Sequence, residues 1–245
     1  MTVRHPSRTA AVAGALAAAT VASLTACSSA APGAPATASH TATLTDDGRA
    51  RATLDVLSGT TVLTIGTAGL RPGGPLLKVV TPAGAPAPQL TPSTPDGTGG
   101  AELVDLVAPN APAVTVTLNA AVSWQLDLDG GSTRTDLDLR GGQVSGIAFN
   151  AGSSLISVAL PRPHGSVPVQ MAGGASGFQL SLPAGIPVRV TAGGGASEVS
   201  LEGQQHTGVA GGSVFTTPGW APGVTGYDID AIAGASQITI TARPS

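Results

Sequence analysis

Six aspartates set at two-residue spacing are the residues in this chain best placed for chemistry. Asp127 and Asp129 lie in Trp124-Gln125-Leu126-Asp127-Leu128-Asp129, Asp136 and Asp138 in Asp136-Leu137-Asp138-Leu139, and Asp228 and Asp230 in Tyr227-Asp228-Ile229-Asp230. Oxygen-only clusters suit a hard cation such as Ca²⁺. Two carboxyls about 5 to 9.5 Å apart, one with a raised pKa, suit glycoside hydrolysis. Alternation with leucine places the four aspartates of 127–138 on the outer side of one rung of strands, with Asp127 and Asp129 sharing a face. The chain has no tight Asp-x-Asp-x-Asp-Gly loop, and no apolar pocket beside these residues is evident that would hold a carboxyl protonated. They read as solvated charge that keeps a β-face soluble, and no metal site is expected. His164 and His206 could act as bases toward the many serines, but no Gly-x-Ser-x-Gly elbow is present, and the serines recur as turn residues do. His40 falls in a spacer. No phosphate loop, dinucleotide fingerprint or His-Glu-x-x-His helix appears, so no catalytic residue and no cofactor is expected.

Residues 202–226 are the least repetitive part of the chain and read as a Gly- and Pro-rich insertion loop. They hold Gln204, Gln205, His206, Phe215 and Trp220, with Tyr227 just beyond, so half of the six aromatics fall between 215 and 227. His206, Phe215, Trp220 and Tyr227 are the candidate binding residues, since exposed aromatics with amides suit a carbohydrate or peptide contact. The other reading is a cap, in which Phe215 and Trp220 fold back over the open end of a repetitive domain.

Composition narrows the classes further. The 245 residues carry a net charge of −3, with 10% charged residues, 34 Gly and 20 Pro. The absence of a basic cluster argues against nucleic acid as a partner. A single cysteine, Cys27, excludes a disulfide framework and a cysteine-based zinc site.

That cysteine follows a leader. Arg4, His5 and Arg8 make a positive start, and Ala10 to Leu24 is an uncharged stretch of 15 residues, shorter than a membrane-spanning helix. It ends in Leu24-Thr25-Ala26-Cys27, which resembles the lipobox of bacterial lipoproteins. The resemblance implies a signal peptide over 1–26 and a diacylglyceryl thioether with N-terminal acylation at Cys27, which anchors the chain to the membrane from its extracytoplasmic side. The alternative is an ordinary secreted protein cleaved near Ala30 or Ala31. From Cys27 to Thr43 the chain is almost wholly Ser, Ala, Thr, Pro and Gly, a flexible spacer.

The remainder, 44–242, reads as one domain built on a repeat. Gly130-Gly131-Ser132, Gly152-Ser153-Ser154, Gly174-Ala175-Ser176 and Gly195-Ala196-Ser197 recur with their last serines 22, 22 and 21 residues apart. Gly234-Ala235-Ser236 follows after 39. Each turn is flanked by segments that alternate apolar and polar residues, the pattern of half-buried strands. Pro168 and Pro187 mark their strands as weakly paired or edge-like. Leu54 to Ile65 reads as one more rung, Leu77–Val80 and Val114–Leu118 as further strands, and Pro82 to Gly100 as a loop. The expected fold is all-β, a single-stranded right-handed β-solenoid of short rungs, with a β-sandwich as runner-up.

The stretch Trp124 to Leu201, with its Leu-Asp-Leu-Asp alternation, Leu182-Pro183-Ala184-Gly185-Ile186-Pro187-Val188 and Gly195-Ala196-Ser197, resembles the toast-rack (putative-adhesin) β-solenoids of bacteria. These are related to the C-terminal domains of cell-envelope stress regulators. The resemblance covers about residues 50 to 240 and implies the right-handed winding, an envelope location and no enzymatic activity. The function expected is therefore a lipid-anchored binding or scaffolding module, contacting cell-wall polymer or an envelope protein. A carbohydrate-active enzyme on cell-wall or capsular polysaccharide and an accessory partner of envelope stress signalling are the alternatives.

Overall fold

The computed structural model describes residues 38–46, 48–70, 74–93 and 102–244. The expected signal peptide, Cys27, the spacer up to residue 37 and residues 94–100 of the expected loop lie outside the described residues.

Nineteen strands and no helix form among the described residues. β1 (His40–Thr45) leads in, and β2 (Arg51–Val56) turns a corner into β3 (Thr60–Ala68). β4 (Pro75–Thr81) and β5 (Gln89–Ser93) follow, then the pair β6 (Glu102–Val107) and β7 (Ala113–Asn119). Four more such pairs come next: β8 (Ser123–Leu128) and β9 (Ser132–Asp138), β10 (Gln143–Phe149) and β11 (Ser153–Ala159), β12 (Ser166–Met171) and β13 (Ala175–Pro183), β14 (Val188–Ala192) and β15 (Ala196–Leu201). β16 (Gln204–Val209) and β17 (Ser213–Thr216) precede the last pair, β18 (Gly226–Ala231) and β19 (Ala235–Arg243).

In each of the seven pairs the first strand joins one sheet and the second the other, and like strands stack in parallel. The sheets are mixed. Sheet A has ten strands in the order β1-β4-β7-β3-β9-β11-β13-β19-β15-β16, and sheet B nine in the order β17-β14-β18-β12-β10-β8-β2-β6-β5. The alternating sequence explains the core between them. Leu54, Leu126, Ile147, Val169, Ile229 and Val190 are register partners across sheet B. Ile65, Leu137, Val158, Leu180, Ile240 and Leu201 match them in sheet A. All are buried in one continuous cluster.

The central rungs stack in chain order, as the repeat predicts, while the ends do not. The β6–β7 rung lies outside β2–β3, and the chain then returns past β2–β3 to lay down β8–β9. At the other end β14–β15 leaves one slot vacant, and β18–β19 fills it. That late insertion accounts for the 39-residue step in the repeat. It also places β12, with Pro168, inside sheet B instead of near an edge. The proline is accommodated because the ladder from β12 to β10 begins only at Val169, while Pro168 pairs with Asp228 on the β18 side.

Both ends close with antiparallel strands. In sheet A β4 pairs with β7 and β1 with β4, and in sheet B β5 pairs with β6. β5 falls inside the expected loop, its Pro92 on an edge strand where a missing N–H costs little. At the opposite end β16 pairs with β15 and β17 with β14. The expected insertion loop at 202–226 thus begins as two cap strands. Their sequence hid them, because a terminal rung buries only one side and loses the apolar alternation.

The corners carry a second regularity. The strand registers align Ser58, Gly130, Ala151, Gly173, Ala233 and Gly194 down the stack, so residues with and without a Cβ alternate. A Cβ on Gly130 would lie 2.1 Å from the Ser58 carbonyl oxygen, one on Gly173 2.2 Å from the Ala151 carbonyl carbon, and one on Gly194 2.3 Å from the Gly234 nitrogen. Corner backbones can approach this closely only where every second residue is glycine. The serines follow a different register from the one their spacing suggests. Ser132 aligns with Ser153, not Ser154, and their hydroxyls lie 3.0 Å apart.

Candidate functional site

The cap end gathers most of the candidate binding residues. On β16, His206 is the register partner of the inward-facing Val199; on β17, Phe215 is that of the inward-facing Val190. Both rings therefore point into the inter-sheet space as it opens at the end of the stack. They contact each other with centroids 4.6 Å apart and planes tilted by 36°. Around them lies a groove of about 500 Å³, lined by Leu201, Glu202, Gln204, Val214 and Pro218 among others. Val214 is 55% exposed, an unusual position for a large apolar residue in this molecule.

Trp220 sits on the other side of the cap. Its ring covers Arg189 of β14, the guanidinium carbon lying 4.9 Å from the ring centroid. Arg189 Nε donates to Asp228 Oδ1 at 2.7 Å while a second nitrogen donates to Oδ2. The bidentate pair and the cation–π contact fix the 217–225 segment against the outer face of sheet B. Thr217 anchors its start: its backbone N–H donates to Val188 O, and its hydroxyl accepts from Val188 N–H.

Tyr227 is not a surface residue. It opens β18, is fully buried, and its hydroxyl donates to the Pro161 carbonyl at 2.8 Å. Burial raises its phenol pKa. The sequence offered it as an exposed binding residue just beyond the loop, because the slot that β18 fills between β12 and β14 is invisible in chain order. The structure thus brings His206 and Phe215 together, sets Trp220 apart over Arg189, and assigns Tyr227 to the core.

The aspartates of 127–138 divide between the two sheets. Asp127 and Asp129 belong to the sheet B side and Asp136 and Asp138 to the outer face of sheet A, so the core separates the two pairs. Asp136 accepts from Arg134 Nε at 2.6 Å, and Asp138 from Arg140 Nε at 2.7 Å. The hydrogen bond from Arg140 holds the Asp138 carboxyl below its ordinary pKa.

On sheet B, register creates a cluster that chain order conceals. Asp55 pairs with Asp127 on one side and Asp105 on the other, with Asp129 close by. Burial, then the charges of Asp129, Asp105 and Asp127, push the Asp55 carboxyl up to about 6. Its Oδ1 is shielded from water without a hydrogen-bond partner. Asp129 accepts from Asn150 at 2.6 Å and Asp127 from Gln125 at 2.9 Å. Among the described residues no group of three or more His, Cys, Asp or Glu side chains is arranged to hold a metal ion. The shared apolar-Asp-apolar triplets Leu54-Asp55-Val56, Val104-Asp105-Leu106 and Leu126-Asp127-Leu128 are the sequence signal that could have found this cluster.

No protein-family model matches the chain, and no curated protein matches it. Among solved structures it is similar to the crystal structure of a putative cell adhesion protein from Clostridium sporogenes. The two share 17% identity at a TM-score of 0.61, over 83% of this chain and 99% of that one. At that identity the likeness is one of fold.

Proposed function

We propose that this chain is a lipid-anchored protein of the cell envelope whose β-domain acts by binding or scaffolding, without catalysis, and presents its β16–β17 end to cell-wall polymer or an envelope protein. In this proposal Cys27 carries the lipid, the spacer runs from it to β1, and the seven rungs wind as a right-handed β-helix. The observation that carries the reading is the polarity of sheet A. β1, the strand nearest the spacer, and β16, beside the His206–Phe215 groove, are its two edges. Ten strands at about 4.8 Å spacing hold those edges about 43 Å apart. A tether at one edge and an aromatic groove at the other suit a protein that reaches outward from a membrane. The fold likeness to a putative cell adhesion protein is consistent with that role.

The test compares retention of the full-length protein on isolated envelope material with that of Phe215→Ala and Trp220→Ala. Retention should fall about tenfold or more in each variant while the melting temperature stays within a few degrees of the parent. Undiminished retention in both would overturn the assignment of the cap end.

A further inference from the structure

A second surface lies on the outer face of sheet A and shares no lining residue with the cap groove. The outward residues of five neighbouring strands form two transverse rows. Thr64, Asp136, Ser157, Gln179 and Thr239 are register partners in the first, and Asp138, Ala159, Ser181 and Thr241 in the second. The short side chains of Ser157, Ala159 and Ser181 leave a depression between their neighbours, and a trough of about 430 Å³ is lined by the residues of these rows. From β3 to β19 it spans five strands, about 19 Å.

We propose that this trough binds a neutral polysaccharide chain. The polar groups of the lining, set among Leu137, Val158, Ala159 and Leu180, are five hydroxyls, one amide and two carboxylates, groups that both donate to and accept from sugar hydroxyls or accept from adjacent pairs of them. Among the described residues, the side chains of Thr64, Ser157, Gln179, Ser181 and Thr239 are not engaged in hydrogen bonds with the protein. Each carboxylate is matched by its own arginine, Asp136 by Arg134 and Asp138 by Arg140, so the charges along the wall are balanced. That balance gives no attraction for a polyanion such as nucleic acid. Strand addition is excluded here because these five strands are interior and their backbone groups are already paired. The trough holds no aromatic ring, so the sugar is held by hydrogen bonds instead of stacking, and its length suits a chain of several units.

The test is native electrophoresis of the full-length protein, in mild detergent, through gels cast with dextran, galactomannan or the anionic polygalacturonate. At least one neutral polymer should retard the protein relative to a non-binding marker, and more strongly than polygalacturonate does. Ser157→Tyr combined with Ser181→Tyr fills the trough and should weaken retardation about tenfold. Gln179→Ala combined with Thr239→Ala, which adds no bulk, should weaken it several-fold at an unchanged melting temperature. Phe215→Ala should leave it intact, which separates this surface from the cap end. Absence of retardation by both neutral polymers, retardation by polygalacturonate alone, or full retardation of both double variants would overturn the proposal.

Discussion

Leu180→Asp leaves the protein without a cooperative thermal transition. Leu180 is 1% exposed at the centre of β13, with Val158 and Ile240 as its register partners on either side. Removing a buried leucine costs about 2 to 5 kcal/mol. An unpaired buried carboxylate adds several more, or is neutralised at comparable cost. Together these consume most of the roughly 5 to 15 kcal/mol that stabilises a typical domain. The stacking makes the loss global, since neighbouring rungs bury their apolar residues against β12–β13 and cannot close a core without it. Circular dichroism on heating reads the outcome. Ser176→Asp, exposed on the same strand, should melt like the parent; a parent-like melt of Leu180→Asp would mean that the inward assignment of β13 is wrong.

Gly130→Ala lowers stability by about 2 to 4 kcal/mol, an unusually large effect for a single added methyl. Its Cβ would meet the Ser58 carbonyl oxygen at 2.1 Å, a backbone atom with no freedom to swing aside. The corner would have to spread, straining the backbone hydrogen bonds that link successive corners, among them Gly130 N–H to Val56 O and Thr60 N–H to Gly131 O. Gly152→Ala is the matched control. Its Cβ would stand 3.3 Å from the Gly174 oxygen, and the cost should remain below about 1 kcal/mol. Urea denaturation of both variants decides the matter. Equal stability losses would contradict alternation down the corner column.

Much of this architecture was legible in the chain. Period-two alternation located most rung strands, and the Gly-rich corners marked the bends. Leu54 to Ile65 was recognisable as a rung because it repeats the apolar-polar alternation around Ser58-Gly59. Stacking order was not legible at the ends, because nothing local distinguishes a strand that follows its predecessor from one that skips a slot. That single ambiguity hid the burial of Tyr227, the interior position of Pro168 and the origin of the 39-residue step. The cap strands were hidden for a different reason: Gln204–Val209 has no buried face to impose a pattern.

The candidate sites divide along the same line. His206 and Phe215 are near in sequence and meet in space, because β16 and β17 are joined by a short turn. Trp220 and Arg189 are 31 residues apart in the numbering, and only the pairing of β17 with β14 makes them neighbours. Asp55, Asp105 and Asp127 come together through register alone.

The functional reading depends on a tether at the β1 edge, and mass spectrometry of membrane fractions tests it most directly. Cells expressing the full-length chain are compared with cells expressing Cys27→Ser. The account predicts a mature N-terminus at Cys27 carrying a diacylglyceryl group, found in membranes and lost from them in the variant. An unmodified N-terminus near Pro32, recovered from the medium with and without the substitution, would contradict it.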